Sequence, residues 1–242
     1  MNPVTASPSL WSPASIGCFL RSDTRTVRNW VTECPTAAAC FCVGVIIAGA
    51  GMYGTAMGSW RNGWQALCTG IKLPLVILIT TLGNGLLNAM LAPLLGLNIR
   101  FRLCQVLLLV SFAMASLVLA GLAPIAWFVV WNTPPLDATT SLSSPEYGLL
   151  QLTLAGFLAS AGIIGNVRLL PLLKAWGQTE AVAMRVLLAW LAVNLFLGSQ
   201  IAWVLRPFIW DPAGPVEFIG RQYFHGSFYE TVFEAARRLI LR

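Results

Sequence analysis

The chain has 242 residues, 57% of them hydrophobic and only 10% charged, with a mean hydropathy of +0.74. A water-facing surface needs about a quarter of its residues charged, so this composition excludes an ordinary soluble domain. The net charge of +6 comes mostly from basic residues at the ends of apolar runs. Anionic headgroups account for cations placed there, and no nucleic acid is expected as a partner.

Residues 1–37 are rich in Ser, Thr and Pro and read as a flexible tail with a short helix around Val27 and Val31. No apolar core there is long enough for a signal peptide, so insertion is expected to start at the first span. That span covers residues 38–57. Trp60, Arg61 and Trp64 follow as interfacial anchors, with rings at headgroup level and a cation among phosphates. Residues 73–95 form the second span, with Pro74 in its first turn and Lys72 just outside it.

Arg100 and Arg102 mark the next turn. The third span, residues 103–131, is long enough to need tilt or a bend near Pro124, and Trp127 and Trp131 anchor its far end. After a polar loop over residues 132–147, the fourth span covers residues 148–170 and stops before Pro171. The fifth covers residues 182–205 and ends at Arg206-Pro207, where the proline ring removes a donor and disfavours helix before it. Trp203 and Trp210 bracket that interface. The predicted fold is therefore all-α, a polytopic bundle of about five spans over residues 38–205, followed by a tail over residues 206–242. Basic residues concentrate on the amino-terminal side, which the positive-inside rule places in the cytoplasm.

Several stretches together resemble a family of uncharacterised bacterial multi-pass membrane proteins. They are Met57-Gly58-Ser59-Trp60-Arg61, Lys72-Leu73-Pro74-Leu75, Thr80-Thr81-Leu82-Gly83-Asn84 and Asn132-Thr133-Pro134-Pro135. Phe196-Leu197-Gly198-Ser199-Gln200, Trp203-Val204-Leu205-Arg206-Pro207-Phe208 and Gly226-Ser227-Phe228-Tyr229-Glu230 complete the match. The resemblance implies a bacterial inner-membrane protein and carries no activity with it. A fainter similarity to the Yip1-type five-span fold rests on Phe101-Arg102 and Ala123-Pro124, and implies trafficking or scaffolding rather than catalysis.

Polar residues inside the spans are the candidate site. Asn84 and Asn88 share a helix face, with Thr80 and Thr81 a turn earlier. Lipid offers carboxamides no hydrogen bonds, so they must find partners within the bundle. Asn166, Asn194 and Gln200 on later spans are the candidates to join them in one polar seam. Gly156 with Ser160, and Gly162 with Asn166, put small or polar residues four apart, a pattern for close helix approach.

No charged residue falls near the middle of a predicted span, which weighs against proton-coupled transport and intramembrane hydrolysis. The six cysteines form no Cys-x-x-Cys pair and His225 is the lone histidine, so neither a metal nor another cofactor is expected. In the tail, Ser227 and Glu230 form a capping box. They open an amphipathic helix whose apolar side carries Phe228, Tyr229, Val232, Phe233, Leu239 and Ile240. The expectation is a non-enzymatic scaffold, assembly factor or accessory subunit, with a membrane-protein partner or a second copy of itself beside it in the bilayer. A small-solute channel or permease using the seam is the alternative.

Overall fold

The computed structural model describes residues 24–134, 145–176 and 179–206, together with Gly17, Phe218, Ser227 and Tyr229. Among these residues the fold is helical without strands. A short helix, α1 (Thr24–Glu33), precedes α2 (Pro35–Gly58), α3 (Gly63–Leu94), α4 (Phe101–Asn132), α5 (Pro145–Lys174) and α6 (Glu180–Leu205). The last five are each long and apolar enough to cross a membrane, as the apolar run lengths predict.

Local chemistry sets the helix ends. Pro35 opens α2, where its missing amide hydrogen has no partner to lose. The Asn62 side chain accepts from the Gln65 backbone N–H at 2.7 Å and starts α3 at Gly63, ten residues before the apolar run at Leu73. Pro74 therefore lies inside the helix rather than in its first turn, and so does Lys72. At the other end, Gly96 adopts φ +91°, a conformation natural to glycine. The Leu97 N–H bonds to Ala92 O at 2.8 Å and the Gly96 N–H to Pro93 O at 3.0 Å, closing a Schellman motif that reverses the chain into α4. Pro171 likewise lies within α5, which continues to Lys174. Thr179 caps α6 by accepting from the Val182 N–H at 3.3 Å.

The central helix α4 packs on α2, α5 and α3, and α6 closes the bundle against α3 and α5. The α3–α4 and α5–α6 turns share one end with α1, here called proximal. The α2–α3 turn and the carboxyl end of α6 lie at the other, distal end. Rather than hanging free, α1 buries Val27, Trp30 and Val31 against the proximal core of Phe41, Leu107 and Leu172. A second core of Tyr53, Met57, Leu119 and Leu154 fills the distal half.

Glycines decide how closely these helices approach. A Cβ on Gly49 would stand 2.3 Å from Ser116 O of α4. On Gly54 it would stand 2.6 Å from Thr69 O of α3, and on Gly58 2.6 Å from Gln65 O. Helix α2 is thus wedged backbone to backbone between its neighbours, which only residues lacking a side chain allow.

Candidate functional site

Helix α3 carries a row of buried polar side chains along most of its length: Gln65, Thr69, Lys72, Thr80, Thr81, Asn84 and Asn88. From Gln65 to Asn88 the row covers about 35 Å at the helical rise, more than the thickness of a hydrocarbon core. Steps of mostly three, four or eight residues keep successive members on the same or neighbouring faces, so the row winds from α2 at the distal end toward α6 at the proximal end.

The distal part faces α2. Gln65 donates from Nε2 to Thr69 Oγ1 at 3.0 Å, in the space left by Gly54 and Gly58. Lys72 is fully buried one turn further in, and its Nζ lies 5.4 Å from the ring centroid of Phe218. Read from sequence alone, Lys72 belongs to the interface. The capped start at Gly63 instead places it on the buried face of a membrane-length helix, so a charged side chain does lie inside a span.

The proximal part meets α6, which runs antiparallel to α3. Gly96 lies beside Val182, Asn88 beside Trp190, and Thr80 beside Gly198. Asn84 donates from Nδ2 to Asn194 Oδ1 at 2.6 Å, and Asn88 Nδ2 approaches the same oxygen at 3.5 Å. Trp190, fully buried, donates its indole hydrogen to the backbone oxygen of Asn88 at 3.2 Å. Thr81 turns back to its own helix, donating to Ile77 O at 2.7 Å. The Oδ1 atoms of Asn84 and Asn88 and Oγ1 of Thr80 are buried without a hydrogen-bond partner.

The other candidates lie elsewhere. Asn166 donates to Gly162 O of its own helix at 2.8 Å rather than joining the three asparagines. Gln200 is half-buried, nearly two turns beyond Asn194. Gln105 of α4, which spacing rules did not single out, lays its carboxamide against Gly85, its Nε2 2.0 Å from where a Cβ would be. A lone glutamine in an apolar run has no partner at helical spacing to flag it.

Most of the tryptophans expected as anchors lie toward the distal end. Trp64 and Trp131 are exposed, and Trp127 is half-buried. Trp60 is buried and donates to Pro134 O at 3.2 Å, while Arg61 beside it is partly covered. The Arg206 guanidinium stacks 3.3 Å above the Trp203 ring. Trp210 lies outside the described residues, as do the tail positions Phe228, Val232, Phe233, Leu239 and Ile240. Tyr229 is described, and it docks on the bundle itself. Its ring stacks on Phe196 with centroids 5.0 Å apart, its hydroxyl donates to Phe196 O at 3.1 Å, and Ser199 Oγ lies 2.8 Å away.

At the proximal turns, Arg102 bonds to Thr36 and Lys174 pairs with Glu180. No group of three His, Cys, Asp or Glu side chains able to hold a metal occurs among the described residues. Fold and site together define a multi-pass helical bundle, suited to a membrane, with one polar helix at its heart. No family model matches the chain, and no curated protein or solved structure does either.

Proposed function

We propose that the protein is a non-enzymatic membrane component, a scaffold or accessory subunit that packs beside another membrane helix. The observation that carries this reading is a contrast among glycines. Those at 49, 54, 58 and 165 are filled by a neighbouring helix of the same chain, whereas Gly121, Gly156 and Gly162 meet nothing among the described residues within 4 Å of a Cβ position. Gly121 of α4 lies at about the level of Gly156 of α5, because Gly165 sits against Ser111 and Ala115 in an antiparallel pair. Ala155 and Ala159 are exposed beside Gly156. Lipid chains gain nothing special from glycine, but a second helix gains close backbone approach. The basic residues at the proximal end favour its placement in the cytoplasm of a bacterial cell.

Purification of the intact protein from its membrane in mild detergent, followed by native mass spectrometry, tests this. A stoichiometric partner or a second copy is expected with the native chain and is lost with Gly156→Leu plus Gly162→Leu. A monomer from both would sink the reading. A second reading, a small-solute permease, draws on the buried row from Gln65 to Asn88 and on Lys72 within it. It requires solute flux in proteoliposomes that Asn84→Leu with Asn88→Leu abolishes.

A further inference from the structure

Three side chains in the α3–α6 seam pose an unsolved accounting problem. Asn84 Oδ1, Asn88 Oδ1 and Thr80 Oγ1 are buried with no hydrogen-bond partner, the asparagines at 0% exposure and Thr80 at 2%. Turning the carboxamides over does not help. It lets the Asn194 amide donate to the Asn84 and Asn88 oxygens, but it moves the NH2 groups of Asn84 and Asn88 into the buried positions without partners. Lipid supplies neither donors nor acceptors at this depth.

A group that completes the seam in either orientation is small and able both to donate and to accept. Room for a group of about methyl size lies beside the half-buried Gly198. A Cβ built there would stand 3.5 Å from Thr80 Cγ2 and 3.7 Å from Thr80 Oγ1, at ordinary contact distance without a clash. Gly198 shares a helix face with Asn194, and Thr80 shares one with Asn84, each four residues apart. The cradle is thus one turn distal to the Asn84–Asn194 hydrogen bond. Among the described residues no carboxylate is found at its walls to neutralise a cation.

We propose that the seam holds ordered water, seated where Gly198 lacks a side chain and bridging Thr80 Oγ1 to the Asn84 carbonyl oxygen. A buried water of this kind makes about three hydrogen bonds to groups otherwise left without partners. Bound there, it turns the asparagine cluster into a closed hydrogen-bond network between α3 and α6. This inference is independent of what packs on α5.

Two substitutions at Gly198 separate water from an empty gap, read as melting temperatures of the full chain in detergent. Gly198→Ala fills the cradle with a methyl group that cannot bond, and it is expected to lower the melting temperature. Helix propensity and the filling of a void both push the other way, since alanine favours helix over glycine. Gly198→Ser puts a hydroxyl in place of the water and is expected to recover most of the loss. A melting temperature unchanged or raised by alanine overturns the proposal, and so does serine no better than alanine. In the native protein in nanodiscs, magnetisation transfer from water to the Asn84 side-chain amide is expected, and its absence overturns the proposal whatever the variants do. Stabilisation of the native chain by sodium over choline at equal ionic strength would also overturn it, assigning the cradle to a cation.

Discussion

The Tyr53 hydroxyl on α2 donates to the backbone oxygen of Leu154 on α5 at 2.7 Å, deep within the distal core. Both helices pack on α4, and this bond ties them directly to each other across it. The tyrosine is fully buried, so its ring and its hydroxyl contribute separately.

Tyr53→Phe keeps the ring and removes only the hydroxyl. Leu154 O keeps its place in the helical ladder, so no orphaned acceptor is left behind. The expected loss is about 0.6–1.5 kcal/mol, the range for one bond inside a protein or bilayer. Reversible unfolding in mixed micelles measures it. Tyr53→Ala adds loss of the ring and should cost about 3–5 kcal/mol, as for other large aromatics.

Gly49 and Gly156 should respond oppositely to the same change. Gly49→Ala pushes a methyl group against the Ser116 carbonyl, and backbone cannot step aside as a flexible side chain would. A loss of about 1–3 kcal/mol is expected from overpacking. Gly156→Ala meets open space and gains helix propensity, so the monomeric bundle should be unchanged or more stable by up to about 1 kcal/mol. Thermal unfolding of both variants in one detergent checks the contrast.

Helix number and order were legible in the sequence because the spans need runs that few other structures tolerate. Helix ends were less so. Gln65, Thr69 and Lys72 look like an interfacial segment when counted along the chain, and only the glycine face of α2 makes room to bury them. That face was invisible from α3 alone, since pairing two helices requires knowing which sides meet. That Asn84 and Asn88 share one helix face was readable from their spacing, but their contact with Asn194 depended on the antiparallel register of α3 and α6. Asn166, identical in chemistry, satisfies its own helix instead. The role of Gln105 against Gly85 had no periodic signal at all.

Asn194 holds the centre of the seam, because both Asn84 and Asn88 direct Nδ2 at its Oδ1. Asn194→Ala should therefore be the most destabilising of the three alanine changes. Asn88→Ala should be the mildest, since its contact is long at 3.5 Å. A double-mutant cycle on Asn84 and Asn194 is expected to give a coupling of about 0.6 kcal/mol, with about 1.7 as the upper end for such bonds. A coupling of zero would mean that the two side chains do not bond in the membrane.

Tyr229 fixes the carboxy-terminal segment to α6 through two separable contacts, the ring stacked on Phe196 and the hydroxyl on Phe196 O and Ser199. Phe218 makes a second attachment over Lys72 on α3. By the antiparallel register Lys72 of α3 is level with Arg206 of α6, whereas Phe196 and Ser199 lie about two to three turns further into the bundle. Tyr229→Phe keeps the stack and loses the hydroxyl bonds. Tyr229→Ala loses both, about 1 kcal/mol for each kind of contact. When opening is fast relative to cleavage, the rate of cutting follows the open population. Limited proteolysis beyond Arg206 should then accelerate about tenfold or more for the alanine variant, since 1.4 kcal/mol is a factor of ten, and by less for phenylalanine. The melting temperature of the bundle should hardly move, because Tyr229 is half-exposed and outside both cores. Equal cutting rates for all three chains would mean that the segment is not held by Tyr229, leaving it available to a partner or to the lipid surface.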